Sequence, residues 1–255
     1  MAIYAITHRG YEEKYKRKDR IFFGVGDITN TEDFEIKYID NISGKNSNYS
    51  ELTAIYAIFK NKNDEFVGIE HYRRTFLDLN YKVITLNKIK KILKSKDIIL
   101  PIRIKNDLNN YDFYCFNHYN SDFIVLREVI REDYPEYMDA FNSYFAKKSS
   151  YYFNMMICKK TLFDKYHSWL FEILAKCEKK IGNVSDRSKY QQRVYGFLSE
   201  RLLNVWVYKN IQQKNIYHLP VGLYEGGKVI CDKKLLRIIR SNLVNIFGNL
   251  FYKWK

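Results

Sequence analysis

The stretch Phe66-Val67-Gly68-Ile69-Glu70-His71-Tyr72-Arg73-Arg74 constrains the chain most, because a short apolar run ends in an acid, an imidazole, a phenol and two guanidinium groups. The run is too short to span a membrane. Its β-branched and aromatic content, bounded by Asn61-Lys62-Asn63-Asp64, predicts a buried strand rather than a helix. Open α/β sheets bind ligands beyond the carboxyl ends of their strands, so His71, Tyr72, Arg73 and Arg74 are expected beside a ligand. Adjacent guanidinium forks suit phosphate oxygens, which they grip bidentately. The bland alternative is a charged strand exit that faces water.

The rest of the chain alternates in the same way. Ala2 to Thr7 reads as a central strand that delivers His8 and Arg9 to a loop. The run Ile21 to Gly26 contains a Gly-x-Gly but lacks the third glycine of a dinucleotide fingerprint. A polar loop from Asp40 and Asn41 to Asn46 leads into a helix over Asn48 to Phe59, with Leu52, Ile55, Tyr56 and Phe59 on its apolar stripe. Asn48 and Glu51 have capping-box spacing, and a helix start beside a polar loop favours anions. Leu86 to Ser95 reads as a basic helix and Ile98 to Pro101 as a strand. Asn106 to Asn120 reads as a long aromatic loop of the acceptor-binding or lid kind. Ser121-Asp122 is expected to cap one helix, and Pro135 to open the next. Tyr151 to Cys158 is an apolar strand whose Asn154 is either a satisfied core amide or a ligand contact. Thr161 to Cys177 and Tyr190 to Ile211 are long helices, the second holding Glu200 and Arg201 among apolar residues, where at least one is expected half-buried and paired.

Charge narrows the partners. A formal net charge of +14 points to nucleic acid, membrane headgroups or a phosphorylated substrate. Few prolines and glycines (3 and 11) argue against disordered linkers. Cys115, Cys158, Cys177 and Cys231 are scattered, which fits reduced thiols rather than a zinc site or disulfides. The N-terminus has no signal-peptide pattern, and no run reaches the roughly 20 apolar residues of a membrane span, so a cytoplasmic protein is expected. Residues 231–255 combine Lys and Arg with Leu, Ile, Phe and Trp on a helical period. They predict a basic amphipathic helix resting on the inner face of the cytoplasmic membrane, with a docked terminal helix as the alternative. Residues 1–230 are then one α/β domain.

No Gly-x-Ser-x-Gly, P-loop or His-Glu-x-x-His occurs, which removes the common hydrolase, nucleoside-triphosphatase and metalloprotease readings. A transferase with a nucleotide-linked donor remains, in which cations stabilise the departing phosphate and a carboxylate activates an acceptor hydroxyl. No Asp-x-Asp stands at a strand end; Asp33-Phe34-Glu35 is the nearest approach, and it precedes an apolar run. Either Glu70 and His71 help to hold a divalent ion (Mn or Mg), or Arg73, Arg74 and helix dipoles replace it. The second reading is preferred, and no metal ligand is assigned.

Asp40-Asn41-Ile42-Ser43, the segment Asn48 to Tyr56, Gly68-Ile69-Glu70-His71-Tyr72-Arg73-Arg74, Phe153-Asn154-Met155, the segment Trp169 to Leu174 and the segment Gly196 to Leu202 stand in a specific order and spacing. Together they resemble a family of bacterial capsular and exopolysaccharide glycosyltransferases with a His-Tyr-Arg-Arg motif, long filed as a domain of unknown function. The resemblance implies a single GT-A-like, Rossmann-related α/β domain with a mixed, mostly parallel sheet flanked by helices. It implies a hexosyltransferase that moves one sugar from a nucleotide-sugar donor, with UDP-galactofuranose as a candidate, to a growing polysaccharide or lipid-linked saccharide. On that reading His8, Arg9, Asp40, Asn41, Asn48, Tyr49, Glu51, Asn154, Arg193 and Arg201 surround the donor. Arg73 and Arg74 lie at its diphosphate, His71 shapes that grip or packs beneath it, and Glu200 is the base or acceptor contact; these four are the expected catalytic residues. The competing readings are a basic nucleic-acid-binding module and an inactive scaffold of a synthesis complex; nucleic acid is not an expected partner.

Overall fold

A computed structural model describes residues 1–10 and 12–230 of the chain. Among these the strands are β1 (Ala2–Thr7), β2 (Ile21–Gly24), β3 (Asp33–Phe34), β4 (Phe66–His71), β5 (Arg74–Phe76), β6 (Ile98–Pro101), β7 (Ile104–Lys105), β8 (Ser149–Ser150), β9 (Met156–Lys159), β10 (Ile216–Leu219), β11 (Val221–Glu225) and β12 (Lys228–Ile230). The helices are α1 (Asn46–Tyr49), α2 (Leu52–Asn61), α3 (Leu86–Ile92), α4 (Asn110–Asn117), α5 (Asn120–Asp133), α6 (Met138–Phe145), α7 (Lys160–Ile181) and α8 (Val194–Asn210).

The main sheet runs β10-β6-β9-β4-β1-β2-β3. Strands β4, β1, β2 and β3 are mutually parallel, as are β10 and β6, while β9 is antiparallel to both its neighbours. The sheet is therefore mixed and mostly parallel. All six residues of β1 are buried, the signature of a strand covered on both faces. Tyr4 and Ile6 point into the large core shared with α2, α5, α7 and α8, and Ile3 into a second cluster with Ile89, Ile99 and Ile157. The chain moves from β1 to β2 and β3 on one side, then crosses to β4 on the other. This makes β1 a topological switch point, where α/β sheets open a crevice beyond the strand ends. Ile6 pairs with His71, so the loops after β1 and β4 leave the sheet side by side.

Periodicity misplaces several boundaries, each for a local reason. The helix expected from Asn48 is broken by Ser50, which has φ +53; α1 ends before it and α2 begins at Leu52. The capping box is absent. Asn48 Nδ2 donates to the Gln192 carbonyl at 2.9 Å, and α2 has no side-chain cap. The loop expected over Asn106 to Asn120 contains α4, capped by Asn109, whose side chain accepts from the Asp112 amide at 2.8 Å. Helix α5 begins at Asn120, so Ser121 and Asp122 lie inside it; Asp122 instead accepts both arms of Arg187 at 2.6 and 2.9 Å. The strand expected from Tyr151 shrinks to β9 because Phe153 and Asn154 adopt φ +77 and +51. Helix α8 starts at Val194 rather than Tyr190, and α3 ends at Ile92.

The Gly-x-Gly serves a turn. A Cβ on Gly24 would lie 2.1 Å from the Ile28 carbonyl oxygen, and Gly26 has φ +63 with its amide donating to Glu35 at 2.7 Å. Cys115, Cys158 and Cys177 are free thiols. Among the described residues no helix is long and apolar enough to cross a membrane. Cys231 and the expected C-terminal amphipathic helix lie outside the described residues.

Candidate active site

Strand β4 ends in a two-residue hairpin. His71 pairs with Arg74 of β5, and Tyr72 and Arg73 form the turn. The fold buries Tyr72, sets His8 against its ring edge-on at 5.3 Å, and exposes Arg73. Glu70, one residue before, is fully buried and faces away from this crevice toward Arg20, which reaches it by two bonds of 3.0 and 3.1 Å. Thr75 Oγ1 and the Phe76 amide donate to the same carboxylate at 2.9 and 3.0 Å. Burial alone would raise its pKa, but Arg20 and Arg17 outweigh it and hold it below the usual carboxylate range. A carboxylate with these partners is an ionic joint of the fold.

A second turn faces the hairpin. Phe153 and Asn154 carry left-handed backbones, which non-glycine residues adopt at a cost the surroundings must hold in place. Four side chains hold it. His71 Nε2 donates to the Phe153 carbonyl at 2.6 Å, the Phe153 amide donates to Glu200 Oε1 at 3.2 Å, and Asn154 Nδ2 donates to Glu51 Oε1 and Ser199 Oγ at 3.0 and 2.8 Å. The turn thus gathers β4, α2 and α8 at one place. Arg74 lies over the Phe153 ring at 4.6 Å.

The charges around it are unbalanced. Arg9, Arg73 and Arg74 form no ion pair among the described residues, and Arg193 meets Glu51 only at 3.9 Å while bonding Ser50 Oγ at 2.8 Å. Partial desolvation and the field of Arg9, Arg193, Arg73 and His71 lower the His8 pKa. Burial, and then Arg73, lower that of Arg74. On the acidic side Glu200 bonds Arg201 at 2.9 Å, yet burial and the nearby Glu51 push its carboxyl above the ordinary value. Burial lowers His71, which leaves it neutral with its proton on Nε2. A cationic rim over two carboxylates can hold an anion and accept a proton from a neighbouring hydroxyl.

The structure brings together His8, Arg9, Glu51, His71, Arg73, Arg74, Asn154, Arg193 and Glu200, with Asn48 tying the segment before Arg193. The other expected residues are engaged by partners within the fold. The Asp40 carboxylate accepts from Tyr56, midway along α2, and its backbone carbonyl accepts from Asn61 at the end of that helix. Asn41 closes its own loop by bonds with Tyr38 and Ser43. Tyr49 is buried against Tyr195, with its hydroxyl on Glu178. Arg201 is buried, bonding Glu200 and the Phe197 carbonyl. Cavities of about 540 Å³ beside α5 and α6 and of about 360 Å³ beside α2 and α7 take in none of the converging residues. Sequence reasoning passed over Ser199, Arg17 and Arg20. A buried acid such as Glu70 required a cation, though nothing local said which.

Fold and site together define an α/β protein of GT-A-like architecture with a cationic crevice at its switch point. Residues 2–212 match the family described as Domain of unknown function (DUF4422), and the chain belongs to that family. It is similar to the apo structure of the bifunctional glycosyltransferase WbbM, with TM-score 0.74 and 25% sequence identity over 88% of this chain and 45% of that one. The chain thus spans under half the length of that protein. No curated protein matches it.

Proposed function

We propose that this chain is a glycosyltransferase that moves a sugar from a nucleotide-diphosphate donor to a saccharide acceptor. The observation that carries the reading is the position of Arg73 and Arg74, without acidic partners among the described residues, at the switch point of a fold shared with a bifunctional glycosyltransferase. Arg73 and Arg74, with Arg9 and Arg193 beside them, bind the diphosphate and stabilise it as the bond from the sugar's anomeric carbon to phosphate breaks. Glu200 takes the proton from the acceptor hydroxyl as its oxygen bonds to that carbon, with Glu51 holding Asn154 at the donor sugar. His8 and the loop after β1 border the nucleotide.

Among the described residues no three His, Cys, Asp or Glu side chains converge to hold a metal ion. The two carboxylates at hand are engaged by Asn154, Arg201 and the Phe153 amide, so this reading gives the leaving-group charge to the arginines. A UDP-sugar, with UDP-galactofuranose the first to try, is the proposed donor, and a growing polysaccharide or lipid-linked saccharide the proposed acceptor. Residues 231–255 are proposed to rest on an anionic membrane surface beside a catalytic domain of residues 1–230, which co-sedimentation with anionic vesicles tests. Thermal-shift screening against UDP-, GDP-, CDP- and dTDP-sugars, with and without Mn²⁺, tests the central reading. A donor should raise the melting temperature by mass action, whereas binding of RNA or DNA alone would overturn the assignment.

A further inference from the structure

The turn that presents Arg73 is not self-supporting. Two-residue hairpin loops match strand twist when one or both central residues have φ > 0. Neither Tyr72 nor Arg73 is among the residues with positive φ. A turn of this kind splays its strands, and contacts from outside hold these together. Arg17, from the loop before β2, is 4% exposed and donates Nη1 to the Tyr72 carbonyl at 2.7 Å and Nη2 to the His71 carbonyl at 3.0 Å. The Tyr72 amide donates to the Ile6 carbonyl at 2.9 Å, and the Tyr224 amide to the Arg73 carbonyl at 2.8 Å. The guanidinium lies over the rings of Phe22 and Tyr224 at 5.6 and 5.4 Å, with Glu70 Oε2 3.6 Å away.

We propose that Arg17 is the positioning residue of this site: its rigid fork spans two successive carbonyls and fixes the hairpin so that Arg73 and Arg74 face the crevice before any ligand arrives. The assignment of a diphosphate to that crevice rests on the glycosyltransferase reading; the bracing of the hairpin does not. A fork is required because one group must serve two acceptors at a set separation, which a lysine ammonium on a flexible stem does not pre-organise. Preset geometry matters because ordering two arginines at the moment of binding would subtract from affinity. Glu70 loses one of its two cations when Arg17 is replaced, but not its bonded one. It keeps Arg20, Thr75 Oγ1 and the Phe76 amide, so removing Arg17 leaves no bare buried carboxylate.

The test compares R17K and R17Q with the wild-type chain, reading affinity for UDP and for uridine by calorimetry and amide hydrogen exchange at Tyr72 and Tyr224. Both variants are expected to lose UDP affinity at least tenfold with uridine affinity unchanged, and to lose protection at both amides. A purely structural defect would weaken both ligands alike, and R17K indistinguishable from wild type would show that charge rather than the fork matters; either result overturns the proposal. If neither variant accumulates folded, the wild-type chain decides. Protection of Tyr72 and Tyr224 equal to that of Ile69 without ligand is expected, and exchange at loop rates overturns it. A wild-type chain that binds UDP no better than uridine counts against the glycosyltransferase reading, while the exchange data still decide the role of Arg17.

Discussion

His71 Nε2 lies 2.6 Å from the carbonyl oxygen of Phe153, so the last residue of β4 is bonded to the left-handed turn that precedes β9. A carbonyl only accepts, so this nitrogen carries a proton and is committed to the backbone. His71 is therefore a brace between the arginine hairpin and the turn that holds Asn154, rather than a base with Nε2 free. The same turn leads to Glu200 through the Phe153 amide, which ties the cationic and acidic halves of the site into one unit.

Glu200 is expected to set the acid limb of the reaction. Its carboxyl is raised by burial and then by Glu51, and a base must be ionised, so transfer should fall as pH drops through a value above the ordinary glutamate range. E200Q should lower kcat by about 10²- to 10⁴-fold. E51Q, which removes the neighbouring negative charge, should move the limb to lower pH. A kcat/KM profile of E51Q with an unmoved limb would separate the two carboxylates and contradict this pairing.

Asn154 combines strain with satisfaction. At φ +51 it holds Glu51 and Ser199 through one amide nitrogen. N154A loses both bonds and keeps the unfavourable backbone, for a cost of about 2–4 kcal/mol. N154G loses the bonds but relieves the backbone, so it should be the more stable of the two by about 1 kcal/mol. Urea denaturation curves with the order reversed would mean that the side chain, not the backbone, is what the turn fails to tolerate.

The core histidine His167 is expected to make stability fall in acid. It is 2% exposed, bonds the Phe163 carbonyl through Nδ1, and burial lowers its pKa to about 3. The unfolded chain takes up the proton near pH 6.5, so its contribution is lost progressively as pH falls from about 6.5 toward 3, by up to a few kcal/mol. The melting temperature of H167Q should depend less on pH across that window than that of the wild-type chain. Equal slopes would place the acid sensitivity elsewhere, with His118, lowered to about 4, as the next group to replace.

The strands around the switch point were legible because β1 and β4 are continuous apolar runs that end in polar residues, and burial on both faces demands that composition. The crevice followed from the same logic, since His8 and Arg73 simply continue those strands. What escaped was the geometry set by Ser50, Phe153 and Asn154, whose positive φ is imposed by tertiary bonds and leaves no glycine as a signal. Helical periodicity runs straight through Ser50, and the apolar run straight through Phe153. Asp40 lies apart from the crevice for the opposite reason. It is close in sequence to the start of the helical segment, yet the fold bonds it to Asn61 at the other end of α2. Arg17 and Arg20 were illegible because their partners lie about 50 residues away, and only a folded chain pairs them.

Arg73 and Arg74 are proposed to grip a diphosphate, and calorimetric titration of the R73A/R74A double variant with UDP tests this most directly. Each charge-assisted phosphate bond contributes on the order of 1.5–3 kcal/mol, so the pair should account for at least about a hundredfold in affinity. The predicted result is a folded variant, with the circular dichroism of the wild type, that binds UDP no better than uridine. A folded variant that retains the full preference for UDP would contradict the account.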